Sequence, residues 1–316
     1  MKRETFLSNF GLLTTMIGVA VGLGAVWRFP YMVGRFGGAA FVLFYLAVVL
    51  FICIPALMAE WMLGRHTSRG SLGAFERGGL PAGRWMGYLL IFIVFCATAY
   101  YSNAVGWVLL HGAAELFRGL GISLDGGAVL PPEQGFILKS FRLQMLMTGI
   151  ANFSCGFVLF RGLRRGIERA SRWIVPTLFV ILVVLIVRAV TLPGASEGIR
   201  WYIGGFRFAE LKPSVMAAAM GMAFFSMSLG GTFMLIYGSY LDKGADIPRN
   251  AVFTGIGAVT AGLMSGLAIF PAVFSFGLEP ASGPGLIFST LPRTFSLMPL
   301  GWVFGALFFL GLFGAA

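Results

Sequence analysis

Gly18, Gly22 and Gly24 fall in one uncharged stretch, Gly18-Val19-Ala20-Val21-Gly22-Leu23-Gly24-Ala25-Val26, that runs into Trp27-Arg28-Phe29-Pro30. Each glycine weakens a helix by about 1 kcal/mol relative to alanine and leaves the adjacent backbone unshielded. Where a helix unwinds in apolar surroundings, its freed carbonyls and amides are tolerated only along a cavity in the protein, where they can hold a solute and a cation. Small residues also let two helices pack closely, and the glycines alone fit that use equally well. A second glycine-rich break, Phe224-Phe225-Ser226-Met227-Ser228-Leu229-Gly230-Gly231-Thr232, interrupts a later apolar stretch. Two breaks at matching depth favour a binding site over plain packing. Enzyme chemistry has little to build on. His66 and His111 are the only histidines, and no His, Cys or carboxylate cluster has catalytic or metal-binding spacing.

The elements that must hold these breaks are membrane spans. Of 316 residues, 58% are hydrophobic and 11% charged, far from the make-up of a soluble domain. Crossing the hydrocarbon core takes about 20 mainly apolar residues. Stretches of that order run from Thr5 to Trp27, Gly37 to Ala59, Trp85 to Leu110, Leu143 to Phe160, Trp173 to Val187, Pro213 to Leu241, Asn250 to Leu278 and Thr294 to Ala316. The first meets Arg28 with no cleavage site and reads as a retained helix. An all-α integral membrane protein follows. Its net charge of +11 flanks the spans and marks a lipid surface, with no nucleic-acid partner implied. Arg161, Arg164, Arg165, Arg169 and Arg172 crowd one short loop, which predicts a cytoplasmic N-terminus in a multi-pass cell-membrane protein. Cys53, Cys96 and Cys155 read as free, packed thiols. Residues Glu279 to Pro292, broken by Pro280, Gly283, Pro284 and Gly285, read as a re-entrant segment or surface hairpin. The last residues, Phe309 to Ala316, stop inside an apolar stretch, and the expectation is a sequence cut within its eighth helix.

Taken in order, these motifs resemble the neurotransmitter:sodium symporters of the leucine-transporter fold. The likeness adds Gly37-Gly38-Ala39-Ala40-Phe41, Glu60-Trp61-Met62-Leu63-Gly64-Arg65, Tyr100-Tyr101-Ser102 and Arg164-Arg165-Gly166-Ile167-Glu168. It continues through Pro193-Gly194-Ala195-Ser196-Glu197-Gly198, Tyr237-Gly238-Ser239-Tyr240-Leu241 and Gly266-Leu267-Ala268-Ile269-Phe270-Pro271. The resemblance implies one transmembrane domain over 1–316, with a complete first repeat at 1–190 and a partial, inverted second repeat at 211–316. It implies sodium-dependent symport of an amino acid by alternating access. The alternative is a truncated, non-transporting relative that binds a solute or a partner. As written, the chain is expected not to transport, because the second repeat is needed to enclose the site.

The resemblance also assigns residues. A substrate carboxylate would meet the amides of Leu23 and Gly24 and the Tyr101 hydroxyl, with Ala20 and Gly22 beside them. Amine-carrying relatives have an aspartate where Gly22 stands, so glycine favours a ligand that brings its own carboxylate. Val19, Ala97, Phe225, Ser226, Ser228 and Gly231 would line the side-chain pocket. Ala97 and Gly231 are small, which favours a large hydrophobic or aromatic amino acid unless neighbouring residues fill the space. Arg28, Tyr101 and Phe225 match an outer gate, and Arg3, Phe6 and Tyr240 an inner one. Glu60 would hold unwound backbone, or else snorkel to water. Of the sodium site beside the substrate, the Ala20 carbonyl and Ser226 remain, while Ala25 and Gly257 or Ala258 stand where the family has asparagines; that site is expected to be weak or lost. The other takes the carbonyls of Gly18 and Val21, with hydroxyls matching positions after Ala316. Chloride dependence and oligomeric state are not assigned.

Overall fold

A computed structural model describes residues 4–79, 81–122, 138–280 and 285–316. All of their regular structure is helical. Helix α1 (Asn9–Leu23) continues through a π-turn, Gly24–Arg28, into α2 (Phe29–Phe36). Next come α3 (Gly38–Val48), α4 (Ile54–Thr67), α5 (Ser71–Arg77), α6 (Gly83–Gly119) and α7 (Leu138–Phe160). A π-turn at Leu163–Glu168 leads into α8 (Arg169–Val190), followed by α9 (Ala195–Ile199). The remaining helices are α10 (Pro213–Ser226), α11 (Phe233–Gly238), α12 (Ile247–Ser275), α13 (Leu291–Ser296) and α14 (Gly301–Ala315).

Six of the resulting helical stretches are long and apolar enough to cross a membrane, among them Asn9–Phe36 and Leu163–Val190; Pro213–Ser226 and Gly301–Ala315 are shorter apolar helices. Boundaries depart from those expected, among them Thr67 for Ala59, Gly119 for Leu110 and Ser226 for Leu241, and three have a visible cause. The first stretch passes Arg28 and ends at Phe36, because the Arg28 guanidinium lies over the Phe225 ring, 4.2 Å from its centroid, and does not stop the helix. The fifth begins well before Trp173, at Leu163, since the arginines there are held at the joint with the first helix. The last begins at Gly301, with α13 a separate short helix. The cysteines also differ from expectation. Cys53 is packed, but Cys96 and Cys155 are exposed, on the outer sides of α6 and α7 where Phe92 and Phe153 are exposed too.

Local chemistry sets the helix ends. The Ser8 side chain caps α1 by accepting from the Gly11 amide at 3.0 Å, and Asp246 caps α12 through the Arg249 amide at 3.1 Å. Proline opens α2, α4, α10 and α12, where its missing N–H costs nothing.

The first helix is the wall between two cores. Val21, Leu23 and Val26 pack with Val105 and Val108 of α6, Leu178 and Leu182 of α8, and Ile269 of α12. Met16, Ala20 and Phe29 pack on the other side with Tyr45, Trp61, Met222 and Phe270. In lipid, such helices associate through close packing because burial from water supplies no drive between them. Backbones meet closely where α4 crosses α11. A Cβ at Gly64 would overlap the Leu235 carbonyl and come within 2.9 Å of the Ser239 nitrogen; one at Gly238 would lie 2.7 Å from the Trp61 Cα. Gly64→Val is therefore expected to destabilise the fold by about 2 kcal/mol or more. Gly221→Ala, with no atom within 4 Å of the added Cβ, is expected to leave the thermal transition in detergent unchanged or slightly raised. Equal behaviour of the two variants would contradict the crossing.

Candidate functional site

Gly22 takes φ −9° and ψ −164°, outside the helical region, and interrupts α1 one residue before its end. The break frees backbone groups that need new partners. The Leu23 amide donates to the Tyr101 hydroxyl of α6 at 3.0 Å. That bond uses the phenol as acceptor and leaves its hydrogen for an incoming anion. A Cβ at Gly22 would lie 3.0 Å from the same Tyr101 oxygen, and one at Gly24 would lie 3.0 Å from the Phe225 ring. Glycine at both positions thus keeps the backbone open between a hydroxyl and an aromatic face.

The second break lies between α10 and α11, at Met227 to Thr232. Ser228, Gly230 and Thr232 all take the left-handed conformation, with φ of 53°, 75° and 65°. For Ser228 and Thr232 this costs on the order of 1–3 kcal/mol each and persists only where surroundings hold it. Two bonds hold it here. Ser228 donates its hydroxyl to the Val19 carbonyl at 2.9 Å, joining one break to the other. Glu60 of α4 accepts from the Gly230 amide at 2.8 Å. Its second oxygen is buried without a hydrogen-bond partner.

Tyr101, Leu23, Val19, Ser228, Phe225 and Arg28 therefore meet around the breaks. Ala97 is exposed on α6 one turn before Tyr101, and a Cβ at Gly231 would lie 3.1 Å from the Phe233 ring. Phe6 is partly buried against the second core, and Arg3 lies outside the described residues. Tyr240 follows α11, in the turn where its amide bonds to the Tyr237 carbonyl.

The oxygen sets of the two expected cation positions differ. Ser226 is buried; its hydroxyl donates to the Ala223 carbonyl at 3.1 Å and lies 3.0 Å from the Tyr45 hydroxyl. The Ala25 carbonyl accepts from Ser265 at 3.0 Å, and both Ala25 and Ala258 are fully buried. Apolar Ala25 and Ala258 are packed there, so of these three side chains only that of Ser226 carries an oxygen. Gly18 and Val21 instead line a cavity of about 210 Å³ together with Thr15, Ser171, Tyr237 and Ala315. Three of its lining residues, Thr15, Ser171 and Tyr237, carry hydroxyl groups.

Two partners of the breaks escaped the sequence reading. Ser265 was hidden because its partner carbonyl is 240 residues away. Phe288, buried within the π-turn Leu286–Thr290, meets Trp27 at 5.3 Å, Trp107 at 6.0 Å and His111 at 4.9 Å. The segment read as a re-entrant element or surface hairpin thus enters the protein beside the α1 break; its residues 281–284 lie outside the described set.

A family model described as the sodium:neurotransmitter symporter family matches residues 3–120 and 138–316. YhdH of Bacillus subtilis (strain 168), an uncharacterized sodium-dependent transporter, is 34% identical over 315 residues, covering 98% of this chain and 67% of its own length. A sodium-dependent transporter of Haemophilus influenzae is also 34% identical, over 98% of this chain and 69% of its own. A sodium- and chloride-dependent GABA transporter of Drosophila melanogaster is 27% identical over 98% of this chain and 37% of its own. The crystal structure of MhsT in complex with L-phenylalanine superposes with a TM-score of 0.87 at 32% identity, covering 99% of this chain and 71% of MhsT. The chain thus spans about two thirds of the length of its bacterial relatives. With a family model matched along nearly its whole length and a fold shared with MhsT, this multi-pass membrane protein belongs to the sodium:neurotransmitter symporter family.

Proposed function

We propose that this chain provides the substrate site of a sodium-dependent symporter for a hydrophobic or aromatic L-amino acid, working by alternating access. The observation that carries the reading is the Leu23 amide against the Tyr101 hydroxyl. A carboxylate entering the break takes the amide from Tyr101 and accepts the phenolic hydrogen, so two donors converge on one anion in a water-poor site. Gly22 supports the same choice, since a side chain there would crowd Tyr101. An aspartate at that position would supply the negative charge itself and favour a cationic amine; glycine leaves the charge to the ligand. The Phe225 ring beside Gly24 offers the ligand side chain an apolar face. MhsT, of the same fold, was crystallised with phenylalanine.

Sodium is the second cargo. The Gly18 and Val21 carbonyls at the cavity are its proposed ligands from this chain; the position beside the break, with Ser226 as the oxygen-bearing side chain among Ala25, Ser226 and Ala258, is the weaker candidate. The proposed orientation places the N-terminus in the cytoplasm, from the arginines of the 161–172 segment, in the cell membrane. Residues 1–190 and 211–316 then form one complete and one partial repeat. On that orientation the Arg28–Phe225 stack lies on the outward side of the break as a lid, with Arg3, Phe6 and Tyr240 at the inner gate. In alternating access, the helices bearing the breaks rock so that lid and inner closure open in turn.

Binding of tritiated L-phenylalanine to membranes carrying the chain tests the reading. Saturable binding that requires sodium is expected, displaced by unlabelled phenylalanine and not by phenethylamine, which lacks the carboxylate. Equal displacement by phenethylamine, or the same binding without sodium, would contradict it. Tyr101→Phe removes the phenolic hydrogen and is expected to weaken phenylalanine binding by about 10- to 100-fold, the range of a hydrogen bond to a charged group. Unchanged affinity in that variant would remove Tyr101 from the site.

A further inference from the structure

The arginines crowded into residues 161–172 have different neighbours. Arg164 donates to the Thr5 carbonyl at 2.7 Å, and Arg172 pairs with Glu168 and donates to the Ser8 hydroxyl at 3.0 Å. The Arg161 guanidinium lies 4.1 Å from the centre of the Phe157 ring. Arg165 and Arg169 are exposed and make no hydrogen bond or ion pair with the described residues. The carboxylates of this region are engaged elsewhere: Glu4 accepts from the Leu163 amide at 3.1 Å, and Glu168, fully buried, accepts from the Leu7 amide at 2.9 Å. Two guanidinium charges at the start of α8 are thus left without a counter-charge among the described residues.

Those two arginines begin a continuous exposed stripe. Residues three or four apart share one side of a helix, and the series Arg165, Arg169, Trp173, Val180, Val184, Val187 keeps to that spacing, with one step of two turns, and is exposed at every member. Leu178 and Leu182, on the other side of α8, belong to the first core. Along the stripe, charge gives way to an indole and then to aliphatic side chains. Tryptophan favours the headgroup level of a bilayer and valine its hydrocarbon. A guanidinium presents forked donors to phosphate oxygens and is weakly hydrated, so it gives up little water to bind them. The order of chemistry on the stripe is therefore the order of chemistry along a phospholipid.

We propose that Arg165 and Arg169 hold the phosphate of an anionic phospholipid, with Trp173 at the level of the glycerol esters and the valines of α8 along an acyl chain. A zwitterionic lipid carries its own cation beside the phosphate and needs no guanidinium; an anionic one does not, and supplies the missing counter-charge. The site follows from the membrane-spanning fold and holds whether or not the chain binds phenylalanine.

Quenching of Trp173 fluorescence by brominated lipid tests it, with the chain in phosphatidylcholine nanodiscs and the signal of position 173 taken as the difference between the parent and Trp173→Phe. Brominated phosphatidylglycerol is expected to quench this signal with an affinity at least about tenfold above that of brominated phosphatidylcholine, each arginine contributing about fivefold. Arg165→Gln with Arg169→Gln is expected to bring the two lipids within about twofold of each other at an unchanged thermal transition in detergent. Should that transition fall, Arg165→Gln alone decides, with an expected loss of about fivefold. Arg249→Gln, which removes an exposed arginine at the start of α12, is expected to leave the preference intact. Equal quenching by the two lipids, a preference that survives the arginine changes or falls equally in Arg249→Gln, or a Trp173 that neither lipid reaches because protein covers it, would overturn the site. Both leaflets of the disc carry the lipid, so the result is independent of the proposed orientation, and a failure of phenylalanine binding bears on the transport reading alone.

Discussion

A backbone amide or carbonyl released from a helix inside a membrane must find another partner in the protein, because lipid offers none and each orphan costs several kcal/mol. Both breaks in this fold are built around that demand. At the first, the Leu23 amide goes to Tyr101, the Val19 carbonyl to Ser228 and the Ala25 carbonyl to Ser265. At the second, the Gly230 amide goes to Glu60. The partners come from α4, α6, α12 and the α10–α11 turn. Unwinding thus binds four separate elements to one small region. The proposed solute carboxylate would take over the bond that the Leu23 amide now makes to Tyr101.

Packing sets the first helix apart from its neighbours. It contributes side chains to two cores on opposite faces and belongs wholly to neither. Side chains added at its glycines would meet neighbouring elements at short range, as at Gly22 with Tyr101 and Gly24 with Phe225, whereas its start is held against the α8 side by the carboxylates of Glu4 and Glu168. Close van der Waals contacts act along the whole length of a crossing; polar caps act only over a short separation.

The sequence made the breaks legible because they leave a composition signal. Glycine clusters inside apolar stretches are unusual, and two of them at matching depth point to unwound helices. The partners were legible only where a family resemblance supplied them, as with Tyr101 and Glu60. Ser265 and Phe288 left no local trace, since a serine in a helix and a phenylalanine after a loop are common and their meaning lies in contacts made across the chain. Charge misled at two boundaries. Arg28 and the arginines before Trp173 look like span ends, yet one stacks on Phe225 and others bond the N-terminal segment, so the helices pass through them.

On the proposed function, the Leu23 amide and the Tyr101 hydroxyl exchange their mutual bond for a ligand carboxylate. A crystal structure of the chain with bound L-phenylalanine measures this directly. A carboxylate oxygen is expected within about 3 Å of both the Leu23 nitrogen and the Tyr101 oxygen, with the aromatic side chain turned toward Phe225. A ligand whose carboxylate lies away from the α1 break, with the Leu23–Tyr101 bond intact, would contradict it.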